Sequence, residues 1–378
     1  MYLNIIKNSI IIITLLVALT ACKKTEIEET QPTPYSLELP AFFPTILNIP
    51  NDNPLTVEGV ELGRYLFYDT LLCGTINNGG AISCASCHTQ NAGFDLGSNN
   101  PRLSDGRPVG IAGTATPHNA LPLVNLVFNN EGYTWNGAIH KNAPAGQQNI
   151  EDIVAHTVTD PNEMNGNWET TIAALRTRAE YPAMFRKAFG TEEITKERVC
   201  KAIAQFVRTL ISANSKFDHY LRGETPLSAT ELRGYILFST EEGADCFHCH
   251  GGGGTPLFTT NLFYNNGLDN SFTQTDDHYS VTGMTQDIGA YRAPTLRNIS
   301  VSAPYMHDGR FNTLDEVLDF YNSGLQNSAY VHPYMHKINE GGAHLTPAQI
   351  ADLKAFLSTL TDEEFIENKK ISNPFQNN

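Results

Sequence analysis

Two five-residue strings carry the most chemistry in this 378-residue chain: Cys84-Ala85-Ser86-Cys87-His88 and Cys246-Phe247-His248-Cys249-His250. Both read C-x-x-C-H, the spacing that attaches a c-type haem. Two thiols add across the haem vinyl groups, and the adjacent imidazole lies under the iron as its proximal ligand. A bare C-x-x-C also suits zinc or a redox dithiol. Zinc would want the two pairs close together, whereas these start 162 residues apart and each has its own His. The pattern therefore predicts two covalently bound c-type haems, held by Cys84, Cys87 and His88 and by Cys246, Cys249 and His250.

The elements that must position these strings read mainly as helices, with few convincing strands. Ser228 and Glu231 form a capping box ahead of Leu232, Tyr235, Ile236 and Phe238. Thr346-Pro347 opens a helix with Ile350, Leu353, Phe356, Leu357 and Leu360 on one face. Val199, Ile203, Phe206, Val207 and Leu210 trace a third, and Thr313 with Glu316 caps a fourth carrying Leu314, Val317 and Tyr321. Each half thus places C-x-x-C-H after one amphipathic helix and closes with another. The expected fold is mainly α, two cytochrome c-like domains at 55–222 and 228–365, with a break in Gly223–Leu227 and a tail at 366–378.

The start of the chain predicts its compartment. Lys7, the apolar run Ile10–Leu19 and Leu19-Thr20-Ala21-Cys22 make a secretory signal over 1–21, too short to span a bilayer. Cys22 after Leu-Thr-Ala looks like a bacterial lipobox, which would make it the lipidated first residue; an ordinary signal with an incidental Cys is the alternative. Residues 22–54 read as tether and N-terminal extension, polar and Pro-bearing over Lys23–Pro34. The expected location is periplasm-facing, held to a membrane only through a lipid anchor. Of seven cysteines, four are assigned to haem and one to lipid, leaving Cys73 and Cys200. An oxidising compartment allows them to pair, and two separate buried thiols are equally compatible with the sequence. A formal charge of −15 argues against nucleic acid and against binding an anionic membrane surface by charge. It favours a redox partner with a positive patch.

From about Leu55 to Leu360 the chain resembles the bacterial diheme cytochrome c peroxidases and their MauG-type relatives. The resemblance rests on Leu62-Gly-Arg-Tyr-Leu-Phe-Tyr-Asp69 before the first haem string and on Tyr133-Thr-Trp-Asn-Gly137. Asp160-Pro-Asn-Glu-Met164, Arg292-Ala-Pro-Thr-Leu-Arg-Asn298 and Ala303-Pro-Tyr-Met-His-Asp-Gly309 follow in order. The resemblance implies a peroxidatic haem on His88 and an electron-transfer haem on His250. It implies Glu163 as the catalytic acid–base and Trp135 as an aromatic between the haems. A carboxylate in a partly dry pocket can do that task, because burial raises its pKa. The resemblance also implies hydrogen peroxide as substrate and a small redox protein, of cytochrome c or cupredoxin type, as electron donor.

For the second haem the resemblance implies a distal Met or Tyr, and the matching position, 17 residues after Pro304, is Tyr321. Met335 and Met306 are the alternatives. A Ca2+ is implied at the domain interface, on the Asn119 side chain and the backbone carbonyls of Ser302 and Pro304. Several positions depart from the pattern. Ile153 stands where the family often has Gln, ten residues before Glu163. Extra residues occupy about Ala138–Gln148, and His156 is a candidate substitute partner for Glu163. No His occurs in Gly110–Gly113, where many members carry a distal ligand; His118 is the nearest candidate. The resemblance therefore implies a first haem already open to peroxide. Three functions compete: a peroxidase, a MauG-type oxidase of a partner protein's aromatic residues, and a non-catalytic electron carrier.

Overall fold

A computed structural model describes residues 31–74, 81–140, 142–251, 255–273 and 275–376. The signal segment and Cys22 lie outside the described residues. Twelve helices are described: α1 (Val57–Tyr68), α2 (Ile150–Thr159), α3 (Trp168–Leu175), α4 (Tyr181–Phe189), α5 (Lys196–Arg208) and α6 (Lys216–Leu221), then α7 (Ala229–Phe238), α8 (Phe247–His250), α9 (Tyr279–Thr282), α10 (Leu314–Ser323), α11 (Pro347–Ser358) and α12 (Glu363–Glu367). The described strands are two-residue antiparallel pairs, β1 (Leu103–Ser104) with β2 (Arg107–Pro108) and β3 (Phe263–Tyr264) with β4 (Tyr291–Arg292). The mainly helical expectation holds.

Side-chain caps set the helix starts. Thr56 accepts from the Gly59 N–H, Asn149 from Asp152, and Thr195 from Arg198. The boxes Ser228/Glu231 and Thr313/Glu316 form as the sequence predicts, and Thr346 forms a further box with Gln349, each satisfying two N–H groups that a helix start otherwise leaves open.

The two halves repeat one packing device. In the first, α1 crosses α5 at Gly63, where a Cβ would lie 1.9 Å from the Ala202 carbonyl oxygen and 2.9 Å from the Phe206 Cβ. In the second, α7 crosses α11 at Gly234, where a Cβ would lie 1.9 Å from the Asp352 carbonyl oxygen and 2.8 Å from the Phe356 Cβ. Only glycine lets the backbones approach this far. The phenylalanine four residues on, Phe67 or Phe238, then meets Phe206 edge-on or Phe356 at a tilt, with ring centroids 5.3 Å apart in both halves. Each pair anchors its own apolar core.

One expectation needs correcting on α7. Phe238 is buried and Tyr235 packs against the core, but Leu232 and Ile236 are exposed. The close crossing at Gly234 turns that face inward and rotates both aliphatics out.

Several buried charges are paired and tie the elements together. Asp69 accepts from Arg178 at 2.7 Å and from the Tyr181 hydroxyl at 2.6 Å. Arg208, with no exposure, donates both terminal nitrogens to Glu151, which fastens α2 to α5. Arg297 does the same to Asp218 at 2.6 and 2.8 Å. The chain's end folds back on the first half: Arg64 Nε donates to the Ser372 carbonyl, Tyr68 to that of Ile371, and Phe365 joins the first core. Cys73 and Cys200 are separate buried thiols.

Candidate diheme site

Both C-x-x-C-H strings follow the first crossing helix of their half, and each opens on a large apolar cavity. The first, about 1420 Å³ including its mouth, is lined by Cys84, Cys87, His88, Ile153, Thr157 and Glu163. The second, about 1510 Å³, is lined by Cys246, Cys249, His250, Met306, Tyr321 and Met335. Burial pushes the thiols of Cys84, Cys246 and Cys249 up to about 12, so they are S–H groups, the form that adds across a vinyl.

The histidines are built alike. His88 Nδ1 lies 3.1 Å from the Phe94 carbonyl oxygen, and His250 Nδ1 lies 3.1 Å from that of Pro294. A carbonyl only accepts, so Nδ1 carries the proton and Nε2 keeps a lone pair for a metal. Burial lowers both pKa values to about 4, which keeps the rings neutral. Arg292 supplies a further test of fit. It is buried, lines both cavities, and donates Nη1 to Asn261 at 2.9 Å, while its Nε has no partner. A buried unpaired donor is costly, and a haem carboxylate is the acceptor such a donor suits. Apolar volume, paired thiols, a neutral His and an orphaned cation all fit haem.

Glu163 is presented by the turn after α2. Its N–H donates to the Asp160 carbonyl at 3.1 Å, Asn162 N–H to Asp160 Oδ1 at 2.7 Å, and Gly166 N–H to the Val158 carbonyl at 2.7 Å. The Ile111 N–H then donates to the Glu163 carbonyl at 2.8 Å. At Gly110 a Cβ would stand 2.1 Å from the Asn162 carbonyl oxygen, so the segment that lacks a distal His is pressed against the Glu163 turn. Burial raises the Glu163 pKa, and a hydrogen bond to the Thr157 side chain partly opposes this. His156 is not the partner: it is exposed and pairs with Asp160 at 3.2 Å. Thr157 was missed because a six-residue offset to a carboxylate beyond the helix end has no sequence signature. Ile153 lines the cavity and presents an aliphatic side chain where a Gln was the family alternative.

Trp135 is buried and borders both cavities; its Nε1–H donates to the Asn119 carbonyl at 2.9 Å. Its ring meets His307 edge-on at 6.4 Å, and His307 stacks on Tyr291 at 3.7 Å. His118 also lines the first cavity, but its Nε2 is turned to Asp276 Oδ2 at 3.6 Å. Tyr321 lines the second cavity beside Leu314 and Val317 of α10, and its hydroxyl accepts from Asn266 at 2.8 Å. Burial raises its pKa, so the phenol is protonated until a metal displaces the proton. Asn119 Nδ2 donates to the Pro304 carbonyl at 2.7 Å, and Ser302 is buried beside it. The predicted calcium residues are thus together, with the amide's nitrogen rather than its oxygen facing Pro304.

A mainly helical protein with two C-x-x-C-H cavities and an aromatic between them is a diheme c-type redox protein. The chain belongs to the di-haem cytochrome c peroxidase family, whose model matches residues 57–226. It is 32% identical to the methylamine utilization protein MauG of Methylorubrum extorquens, over 83% of this chain and 81% of that protein. It is 30% identical to cytochrome c551 peroxidase of Nitrosomonas europaea, over 82% of each. Among solved structures, a MauG-like protein associated with microbial copper homeostasis matches at 33% identity and a TM-score of 0.77, covering 90% of this chain and all of that one.

Proposed function

We propose that the chain is a diheme peroxidase that reduces hydrogen peroxide to two waters, using two electrons from a small redox protein and two protons. The single observation that carries this is a partly buried, pKa-raised Glu163 in the same cavity as His88, Cys84 and Cys87. The haems supply an iron that binds peroxide and a second iron that stores an electron. Glu163 as carboxylate takes the proton from the near peroxide oxygen and returns it to the far one, so that water leaves as the O–O bond breaks. Its turn, pinned at Asp160 and Ile111, holds the carboxylate in place through that exchange. Ile153 excludes water from the same side. Trp135 shortens the path between the cavities, and Arg292, whose Nε has no partner, would be the cation available to haem carboxylates.

A MauG-type oxidation of a partner protein's aromatic side chains is the second reading. Tyr321 in the second cavity favours it, because a phenolate ligand stabilises ferric and higher states. The finer assignments belong to the same proposal: domains at 55–222 and 228–365, and His88, His250 and Tyr321 as iron ligands. They include a first haem open at rest, and a periplasm-facing protein lipid-anchored through Cys22. Among the described residues no helix is long and apolar enough to cross a membrane. Calcium at Asn119, Ser302 and Pro304 needs the Asn119 amide turned over to present oxygen.

The deciding experiment is peroxide turnover by the haem-replete protein with a reduced small cytochrome or cupredoxin. The expected result is two electrons consumed per peroxide. Peroxide consumed only when a partner protein's tyrosines or tryptophans are oxidised would favour the second reading; no turnover in either assay would leave an electron carrier.

A further inference from the structure

One residue of the second haem string is unused by haem attachment. His248 lies between Cys246 and Cys249, where the first string has Ala85-Ser86. Its ring is held firmly, packed on Phe247 at 4.1 Å and Tyr334 at 5.0 Å. Its Nδ1 lies 2.6 Å from Asp245 Oδ1, and the other oxygen of that carboxylate lies 3.0 Å from Nδ1 of His336. His336 meets the His248 ring edge-on at 4.9 Å. Asp245 is nearly inaccessible, and it sits at a φ of 58°, in the left-handed region that Asp tolerates better than most residues. Its N–H is tied to the Thr240 carbonyl, in the turn that carries Glu241.

These contacts fix which nitrogens are free. A carboxylate only accepts, so both Nδ1 atoms carry protons toward Asp245, which leaves Nε2 of each ring as the nitrogen that a metal would take. His248 Nε2 then faces Glu241 Oε1 at 3.5 Å. Two acceptors pointed at each other repel unless a proton or a metal cation lies between them. His336 is brought beside them by the same Asp245 carboxylate, which adds a third donor to the cluster. One ligand atom each from Glu241, His248 and His336 lies within 4.8 Å of the others. Ligand atoms around a tetrahedral zinc stand roughly 3.3–3.5 Å apart, and the exposed side chains of Glu241 and His336 can close that difference. Asp245 supplies the outer support that metal-bound imidazoles ordinarily have, a carboxylate on the far nitrogen.

We propose that Glu241, His248 and His336 form a binding site for a borderline divalent cation of the Zn2+/Cu2+ class, oriented by Asp245, at the edge of the second haem cavity. Two imidazoles and one carboxylate select such ions over Ca2+ or Mg2+, which prefer all-oxygen sets. Three protein ligands leave one position for water or an exogenous group. The site does not depend on the peroxidase reading, because none of its ligands takes part in that chemistry.

The test is titration of tag-free, haem-loaded protein with Zn2+, followed by Cu2+ as a spectroscopic reporter. One saturable equivalent of Zn2+ is expected. Glu241→Gln and His336→Ala should each weaken it at least about tenfold, and Asp245→Asn, which touches no metal, by about 10–100-fold. The Cu2+ EPR spectrum should show two nitrogen donors in the parent and one in His336→Ala. The Soret band reports that the haems remain in place, and Glu241→Gln alters an exposed side chain outside the apolar core. Failure to saturate at one equivalent, or an affinity unchanged in either Glu241→Gln or His336→Ala, overturns the site.

Discussion

Replacing Glu163 with Gln isolates the proton step from everything else in the first cavity. The amide keeps the volume and can keep the Thr157 hydrogen bond, so the turn pinned by Asp160 and Ile111 and the attachment at Cys84 and Cys87 should survive. What is lost is the proton carrier. A single acid–base group contributes about 10²–10⁴-fold, and the other titratable groups lining the cavity decide where in that range the loss falls. His88 is tied through Nδ1 to the Phe94 carbonyl, and its other nitrogen is the one proposed for iron. His118 turns its free nitrogen to Asp276. Burial pushes the Tyr133 phenol up to about 12, and its hydroxyl is bonded to Asn129. Arg292 holds its proton at neutral pH even though burial lowers it to about 10. None of these replaces a carboxylate, so the loss should lie in the upper half, about 10³–10⁴-fold or roughly 4–5.5 kcal/mol of barrier.

The pH profile carries an independent sign. The active form is the carboxylate, so turnover should fall as pH drops through the raised Glu163 pKa, and Glu163→Gln should lack that limb. Thr157→Val removes the bond that opposes the rise and should move the limb to higher pH. Ile153→Gln replaces a drying group with a polar one and should move it lower. Steady-state peroxide consumption from pH 4 to 8, at matched haem content, reads all three. Turnover within a few-fold of the parent in Glu163→Gln, or a limb unmoved by Thr157→Val, would refute the assignment.

EPR of the resting ferric protein should show one high-spin haem, since Gly110 is packed on the Glu163 turn and the segment offers no His; two low-spin signals would implicate His118. Tyr321→Phe should alter the spectrum of the second haem alone and raise its potential, and an unchanged spectrum would shift attention to Met306 or Met335. Asp218→Asn leaves the inaccessible Arg297 without its charge partner and should cost about 3–5 kcal/mol in denaturant unfolding. Burial by itself would raise the Asp218 pKa, but the guanidinium outweighs it and holds the pKa below the ordinary 3.8. The pair's stability is therefore complete above that value and is lost as pH falls through the lower folded value; an acid transition unchanged by Asp218→Asn would contradict this.

How far the sequence discloses this molecule depends on the range of the interaction that fixes each part. The haem strings and capping boxes are local: five residues contain the whole of Cys84–His88, and four contain Ser228–Glu231. Tyr321 was within reach because α10 is regular, so its offset from Leu314 and Val317 sets the face. The carbonyls that orient His88 and His250 differ in this respect. Phe94 is six residues away, whereas Pro294 is 44 residues away and cannot be found by spacing. The same distance problem hid Arg292, legible as part of a motif but not as a cation bordering two cavities. Leu232 and Ile236 misled for a related reason: periodicity shows that a helix has an apolar face, while a single glycine on it decides which face approaches its neighbour.

That glycine also explains why one plan, used twice, yields two unlike sites. Gly63 and Gly234 bring α1 onto α5 and α7 onto α11 with nearly the same backbone approach, and each crossing delivers a C-x-x-C-H string to an apolar cavity. A proximal His bonded through Nδ1 to a carbonyl comes with the repeat. Everything that distinguishes the cavities comes from segments outside the crossing helices: the turn after α2 brings Glu163 to the first, and α10 brings Tyr321 to the second. Trp135 and Arg292 lie on segments held together by one hydrogen bond, from the Arg292 N–H to the Trp135 carbonyl at 2.8 Å, and both border the two cavities. The crossing pairs therefore set where haem goes, and the intervening segments set what each haem does. Exchanging Glu163 or Tyr321 should alter reactivity at its own haem while leaving haem attachment intact, whereas a Cβ at Gly63 or Gly234 should disturb attachment in its own half first.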